Sequence, residues 1–110
     1  MKKILSALLS AVCISSAMAW PDKTVSLVVP FPPGGSTDLI ARTLAPKLQE
    51  KLGGTFIIDN KAGATGTIGA GFVTRAAPDG HTLFVSSLGP FVIAPHLLAR
   101  VPYDALKDFD

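Results

Sequence analysis

The chain has 110 residues, 48% hydrophobic and 16% charged, with ten basic side chains against eight acidic ones and a single cysteine. The basic excess sits in Lys2 and Lys3, which leaves eight charges of each sign over residues 20–110. That balance gives no basic surface for nucleic acid or an anionic membrane. Cys13 lies in an N-terminal apolar run, so residues 20–110 can form no disulfide, thiol nucleophile or Cys-ligated metal site.

Met1-Lys2-Lys3, the apolar stretch Ile4 to Ser16 and the small-x-small triplet Ala17-Met18-Ala19 form the pattern of a secretory signal peptide. The expected segment is 1–19, with cleavage after Ala19. The apolar stretch falls short of the ~20 residues a membrane-spanning helix needs, which argues against an anchor. Ser10-Ala11-Val12 does not suit a lipidation signal, so Cys13 is expected to leave with the leader. Residues 20–110 fall short of the common domain size of ~100–150 residues. Lys107-Asp108-Phe109-Asp110 carries no terminating motif, and the expectation is a fragment: part of a first lobe, with a second lobe absent.

Val25-Ser26-Leu27-Val28-Val29 is β-branched and nearly all apolar, which predicts a strand buried on both faces of a parallel sheet. Pro30-Phe31-Pro32-Pro33-Gly34-Gly35 ends it with a stiff, shaped loop. Ile40, Leu44, Leu48 and Leu52 recur every four residues and predict a helix with that stripe inward. Ser36 or Thr37 is expected to cap it, Asp38 to sit in its first turn, and Gly53-Gly54 to end it. Pro46 within it predicts a bend.

A second strand is expected over Thr55–Asp59 and a small-residue loop over Asn60–Gly66. A weaker helix follows over Thr67–Ala77, with Ile68, Phe72 and Val73 as its contacts. Pro78-Asp79-Gly80 reads as a turn, Thr82–Val85 as a third strand, and Pro95–Ala99 as a short helix. The order β-α-β-α-β-α predicts an α/β fold with a parallel sheet and right-handed crossovers. In such a sheet ligands bind beyond the carboxyl ends of the strands, here Pro30–Thr37, Asn60–Thr67 and Ser86–Pro90.

The first of these loops feeds directly into a helix N-terminus, where unpaired N–H groups and the helix dipole favour an anion. Gly34, Gly35, Ser36 and Thr37 suit a carboxylate held by backbone and hydroxyl groups; a plain capped turn fits the same residues. Phe31 reads either as a cover for a ligand or as a core plug. Nucleotide motifs fail on spacing: Gly35 is followed by Ser36 where a P-loop has Lys, and Gly63, Gly66, Gly69 and Gly71 give no G-x-G-x-x-G. Ser86 and Ser87 lack a nucleophile elbow. His81 precedes the third strand, at the edge away from the loops, and His96 is expected on the surface or partly buried. Neither a metal set nor an acid–base pair is visible, and Lys61 and Arg75 read as solvated charges.

Four runs carry a resemblance to a family. They are Val28 through Asp38 (VVPFPPGGSTD), Asp59 through Ala70 (DNKAGATGTIGA), Ala77 through Leu83 (APDGHTL), and Val101-Pro102-Tyr103-Asp104 with Lys107-Asp108-Phe109. In this order and spacing they resemble the substrate receptors of tripartite tricarboxylate transporters, the Bug-type receptors. The resemblance implies a two-lobe periplasmic solute-binding fold that closes on a small organic acid and delivers it to inner-membrane permease subunits. It implies no enzyme activity and no cofactor, and a monomer when complete.

Carried over, the ligand-binding candidates are Phe31, Gly34, Gly35, Ser36, Thr37 and Asp38, then Ser86, Ser87 and Gly89, with Gly66 and Thr67 lining the cleft. Lys61-Ala62, Thr67, His81 and Ala94-Pro95 depart from the usual pattern, and Thr67 bears on ligand choice. The competing readings are a carboxylate sensor docking on a membrane kinase, a truncated remnant, and a hydrolase using Ser86 or Ser87, which the missing elbow and base disfavour.

Overall fold

A computed structural model describes residues 18–110. The expected signal segment falls outside the described residues except at Met18 and Ala19. Strand β1 spans Val25–Val29, helix α1 Ser36–Leu52, strand β2 Phe56–Asn60, helix α2 Thr67–Arg75 and strand β3 Thr82–Phe84. A 3-10 turn over Ala64–Gly66 precedes α2, and a π-helical turn over Gly89–Ile93 runs into the short helix α3, Ala94–Leu97. The second strand lies one residue later than expected, and the last helical stretch starts earlier, at Gly89.

The sheet is parallel throughout, in the order β2-β1-β3. Val25 faces Phe56 on one side, and Ser26 faces Thr82 on the other. The chain moves from β1 outward to β2, then back across to β3. With right-handed crossovers, that reversal puts α1 and α2 on opposite faces of the sheet. It also makes the carboxyl ends of β1 and β3 a topological switch point, where open α/β sheets form their binding crevices.

Coverage on both faces explains the apolar run of β1: Val25, Leu27, Val28 and Val29 are all buried. Val25, Leu27 and Phe56 pack with Ala45 of α1, and Leu48, Ile58, Leu83 and Val85 close around them. At the amino ends of the strands Trp20 meets Phe56 edge-on, with ring centroids 6.1 Å apart.

Helix α1 corrects the expected stripe. Ile40 is 62% exposed, Leu44 and Leu52 are 40% and 46% exposed, and Leu48 of that stripe packs at the margin of the core, while the buried side chains are Thr37, Asp38, Ala41 and Ala45. The Ala41–Ala45 row has the same four-residue spacing as the leucine row but lies about 100° further round the helix. The bulky side chains of β1 fill the interlayer space, so the small row lets the helix sit down. Helix α2 repeats the correction: Thr67, Gly69, Ala70 and Gly71 are buried, and Ile68 and Phe72 are exposed. A Cβ at Gly69 would lie 2.8 Å from Pro30 Cβ and 3.0 Å from the Lys61 carbonyl oxygen, so only glycine allows this approach.

Helix α1 continues through Pro46, which has no N–H to offer the Arg42 carbonyl. It ends at Gly53, with φ 71°, whose N–H donates to the Gln49 carbonyl at 3.0 Å. The Gln49 side-chain oxygen accepts the N–H of Phe56 at 3.0 Å, tying the helix end to the start of β2.

Candidate ligand-binding site

Three loops leave the carboxyl ends of the strands and meet there. In the first, Pro30 is buried, Phe31 half-buried and Gly34 has φ 92°, a left-handed conformation that glycine adopts without strain. Gly35 is the N-cap and makes no side-chain cap. Ser36 and Thr37 are therefore helical residues, contrary to the expected capping role. The N–H groups of Ser36, Thr37 and Asp38 lie in the first turn, where an α-helix supplies no acceptor, and the first intrahelical bond runs from Leu39 N–H to the Gly35 carbonyl at 3.0 Å. An anion above this end would find backbone donors and a favourable dipole.

Asp38 occupies a different position from that of a ligand contact. Its side chain is buried, and both oxygens are taken within the protein. Oδ2 accepts the Gly34 N–H at 2.9 Å and Arg42 Nε at 2.8 Å, while Oδ1 accepts Asn60 Nδ2 at 2.8 Å. Asn60 Nδ2 also donates to the Phe31 carbonyl at 3.1 Å, and Asn60 Oδ1 accepts Arg42 Nη2 at 3.3 Å. Hydrogen bonds from Arg42, then Asn60 and the Gly34 amide, hold the Asp38 carboxyl at about 2, below its ordinary value of 3.8. Sequence reasoning missed Arg42 and Asn60. The four-residue step from Asp38 to Arg42 was a readable signal for an ion pair on one helix face; nothing local pointed to Asn60.

The second loop is tightly wound. Gly63 and Gly66 have φ 132° and 87°, and Ala64 and Thr65 sit at φ 47° and 59°, which costs non-glycine residues some strain. Thr67 is buried, and its hydroxyl donates to the Ala64 carbonyl at 2.8 Å. The third loop extends the β3 ladder through Val85 N–H to the Val28 carbonyl at 2.9 Å. Ser86 is half-buried, with its hydroxyl 3.4 Å from the Ser87 carbonyl, and Ser87 is exposed.

The loops touch at glycines. A Cβ at Gly66 would lie 3.2 Å from Pro90 and 3.4 Å from Pro30; one at Gly89 would lie 3.2 Å from the Thr65 carbonyl oxygen and 3.6 Å from Phe31 Cζ. Phe31, Gly66 and Gly89 thus come together, one from each loop. Gly34, Gly35 and Ser36 stand exposed on the same edge. Among the described residues hollows also lie elsewhere: one along the outer edge of β3, lined by Leu83, Phe84 and Phe109 among others, one beside Phe91, Tyr103 and His96, and a shallow one on α1 beside Leu39, Ile40 and Leu44.

His81 is at the opposite edge, as its place before β3 requires. Its Nε2 is buried 2.8 Å from an Asp22 carboxylate oxygen without a hydrogen bond to it, while its Nδ1 lies 3.1 Å from the Asp79 carbonyl and its backbone N–H donates to Asp79 Oδ1 at 3.0 Å. Lys61 corrects the expectation of a solvated charge: its ammonium lies 4.2 Å from the Phe72 ring centroid and 3.3 Å from Asp59. Among the described residues no group of three His, Cys, Asp or Glu side chains is placed to hold a metal ion.

A parallel β2-β1-β3 sheet with its loops gathered at one edge is the architecture of part of a periplasmic binding protein lobe. MatC from Rhodopseudomonas palustris, solved with bound malate, superposes with a TM-score of 0.77 at 44% identity, over 82% of this chain and 31% of that one. A second R. palustris protein, solved with adipate, gives a TM-score of 0.76 at 38% identity, over 79% and 29% of the two chains. The family model of the tripartite tricarboxylate transporter family receptor matches residues 40–110, and the chain belongs to that family. BugT of Bordetella pertussis is 44% identical over 94 residues, which are 84% of this chain and 29% of that protein. A protein encoded between tcbD and tcbE in Pseudomonas sp. strain P51 is 38% identical over 113 residues, 98% of this chain and 33% of that one. The chain thus spans about a third of the length of these relatives.

Proposed function

We propose that the chain supplies part of the first lobe of a periplasmic receptor that captures a small organic carboxylate and passes it to the membrane subunits of a tripartite tricarboxylate-type transporter. The observation that carries this reading is the meeting of three strand-end loops beside the uncapped N-terminus of α1, at the switch point of the sheet. Malate and adipate in the two R. palustris structures support a dicarboxylate as the class of ligand. Ser36, Thr37 and the backbone of Gly34, Gly35, Gly66 and Gly89 would face it, with Phe31 and Thr67 shaping the floor and Ser86 and Ser87 at the rim. Asp38 serves the site from beneath rather than by contact.

The role is binding and hinge closure rather than turnover. His81 lies at the opposite edge from Ser86 and Ser87, and the Ser86 hydroxyl points to the Ser87 carbonyl at 3.4 Å, which favours binding over nucleophilic chemistry. Residues 1–19 act as a cleaved leader, and the completed receptor works as a monomer.

Melting of the exported protein in malate, adipate and a neutral sugar tests the reading. A bound acid at a hundred times its Kd adds about 2.7 kcal/mol of stability by mass action, visible as a raised Tm. Equal melting in the acids and the sugar would refute it. Amino-terminal sequencing of the periplasmic form is expected to begin at Trp20.

A further inference from the structure

The loop after β1 is held at both ends by a cluster built around the buried Asp38 carboxylate, with Asn60 half-buried and Arg42 at the surface. Asp38 takes the Gly34 N–H, and Asn60 donates to the Phe31 carbonyl, so the four-residue span Phe31–Gly34 is pinned to the side chains of α1 and β2. Asn60 is the joint. Its one amide group bonds the loop and Asp38 together, and its oxygen takes the guanidinium that also pairs with Asp38. It is also the last residue of β2, so the second loop starts from it.

We infer that Asn60 is a positioning residue: its side-chain amide sets the shape of the first loop and couples that loop to the start of the second. Its importance for ligand capture rests on the binding function proposed above; the coupling itself does not. Only a neutral amide fits the place. A carboxylate there would stand about 3 Å from the Asp38 carboxylate, where two like charges cannot both ionise, and would offer no donor to the Phe31 carbonyl. A leucine would match its size and leave the Asp38 oxygen and the Phe31 carbonyl without their donor.

The test uses the chain without ligand, labelled with 15N, and follows the Gly34 amide, which touches Asp38 directly. In the parent chain that signal is expected to stay flat from pH 7 to 4. In Asn60→Asp the paired carboxylates take up a proton within that window, so the Gly34 signal moves, with an inflection more than about two pH units above the parent value. A Gly34 signal as flat in the variant as in the parent overturns the inference.

Asn60→Ala supplies a second reading that adds no charge and serves if the first variant does not fold. Amide exchange at Gly34 is expected to speed up at least about tenfold, the loss expected for a hydrogen bond to a charged group, while Leu27 and Val28 in β1 keep their rates. Equal acceleration at Gly34 and in β1 would show that Asn60 merely supports the fold and would contradict the inference. Malate titration of the same samples separates the two claims. Parent protein that ignores malate counts against the binding function alone. Parent that binds malate, with both variants binding equally well despite altered Gly34 behaviour, counts against the link between loop shape and capture.

Discussion

Gly69→Ala tests the closest approach in the fold. The added methyl would meet Pro30 Cβ at 2.8 Å, Pro30 Cα at 3.0 Å and the Lys61 carbonyl oxygen at 3.0 Å. None of these is the far end of a flexible side chain: two belong to backbone and the third to a proline ring. Helix α2 must therefore lift from β1, or the start of the first loop must yield. Overpacking of this kind costs about 1–3 kcal/mol. Alanine's better helix propensity returns about 0.5–1 kcal/mol. With three contacts too close at once the overpacking cost belongs at the upper end, about 2–3 kcal/mol. The net expectation is a loss of about 1–2.5 kcal/mol, or roughly 1 M in urea midpoint for a chain with an m-value near 1–2 kcal/mol/M. Urea unfolding followed by far-UV circular dichroism reads it. Gly35→Ala is the control, since a Cβ there meets only the Pro32 carbonyl oxygen, at an ordinary 3.7 Å. A Gly69→Ala midpoint equal to or above that of the parent would refute the seating of α2 on Pro30.

Two further outcomes follow from the same packing and charge. Ala41→Leu places a large side chain where α1 meets the sheet and is expected to destabilise by about 1–3 kcal/mol, whereas Ile40→Ala on the exposed row stays within about 0.5 kcal/mol; the opposite ranking in urea would restore the leucine stripe as the core face. Asp38 and Asp79 both titrate near 2 in the folded chain, Asp38 through Arg42, Asn60 and Gly34 and Asp79 through Lys23 and His81. A depressed folded value stabilises above the unfolded value of 3.8 and is lost as pH falls through about 2, so urea midpoints should drop between pH 4 and 2. Asp38→Asn should flatten part of that drop, and an unchanged profile would remove Asp38 from the account.

Much of this fold was legible because its strongest signals are local. The β-branched run Val25–Val29 ended at a proline, and the small polar stretches after Val29, Asp59 and Val85 could only be strand-end loops in an alternating α/β chain. Which helical row faces inward was not legible. Ile40–Leu44 and Ala41–Ala45 share one spacing, and the choice depends on how much room the sheet leaves, which is a property of packed layers. The clamp at Asn60 was hidden for a related reason: it lies 22 residues beyond Asp38, and nothing in the intervening sequence relates the two. Lys61 looked like a solvated charge because its partner Phe72 belongs to the next helix.

The central claim is that the three strand-end loops form a carboxylate-binding wall, and mapping amide shifts on the 15N-labelled chain during titration with malate tests it most directly. The account predicts that the amides of Gly35, Ser36, Thr37, Gly66 and Gly89 move together and saturably, while those of His81 and Asp79 at the opposite edge stay still. Shifts confined to the hollow beside Phe91, Tyr103 and His96, or a set of strand-end amides that never moves, would contradict it.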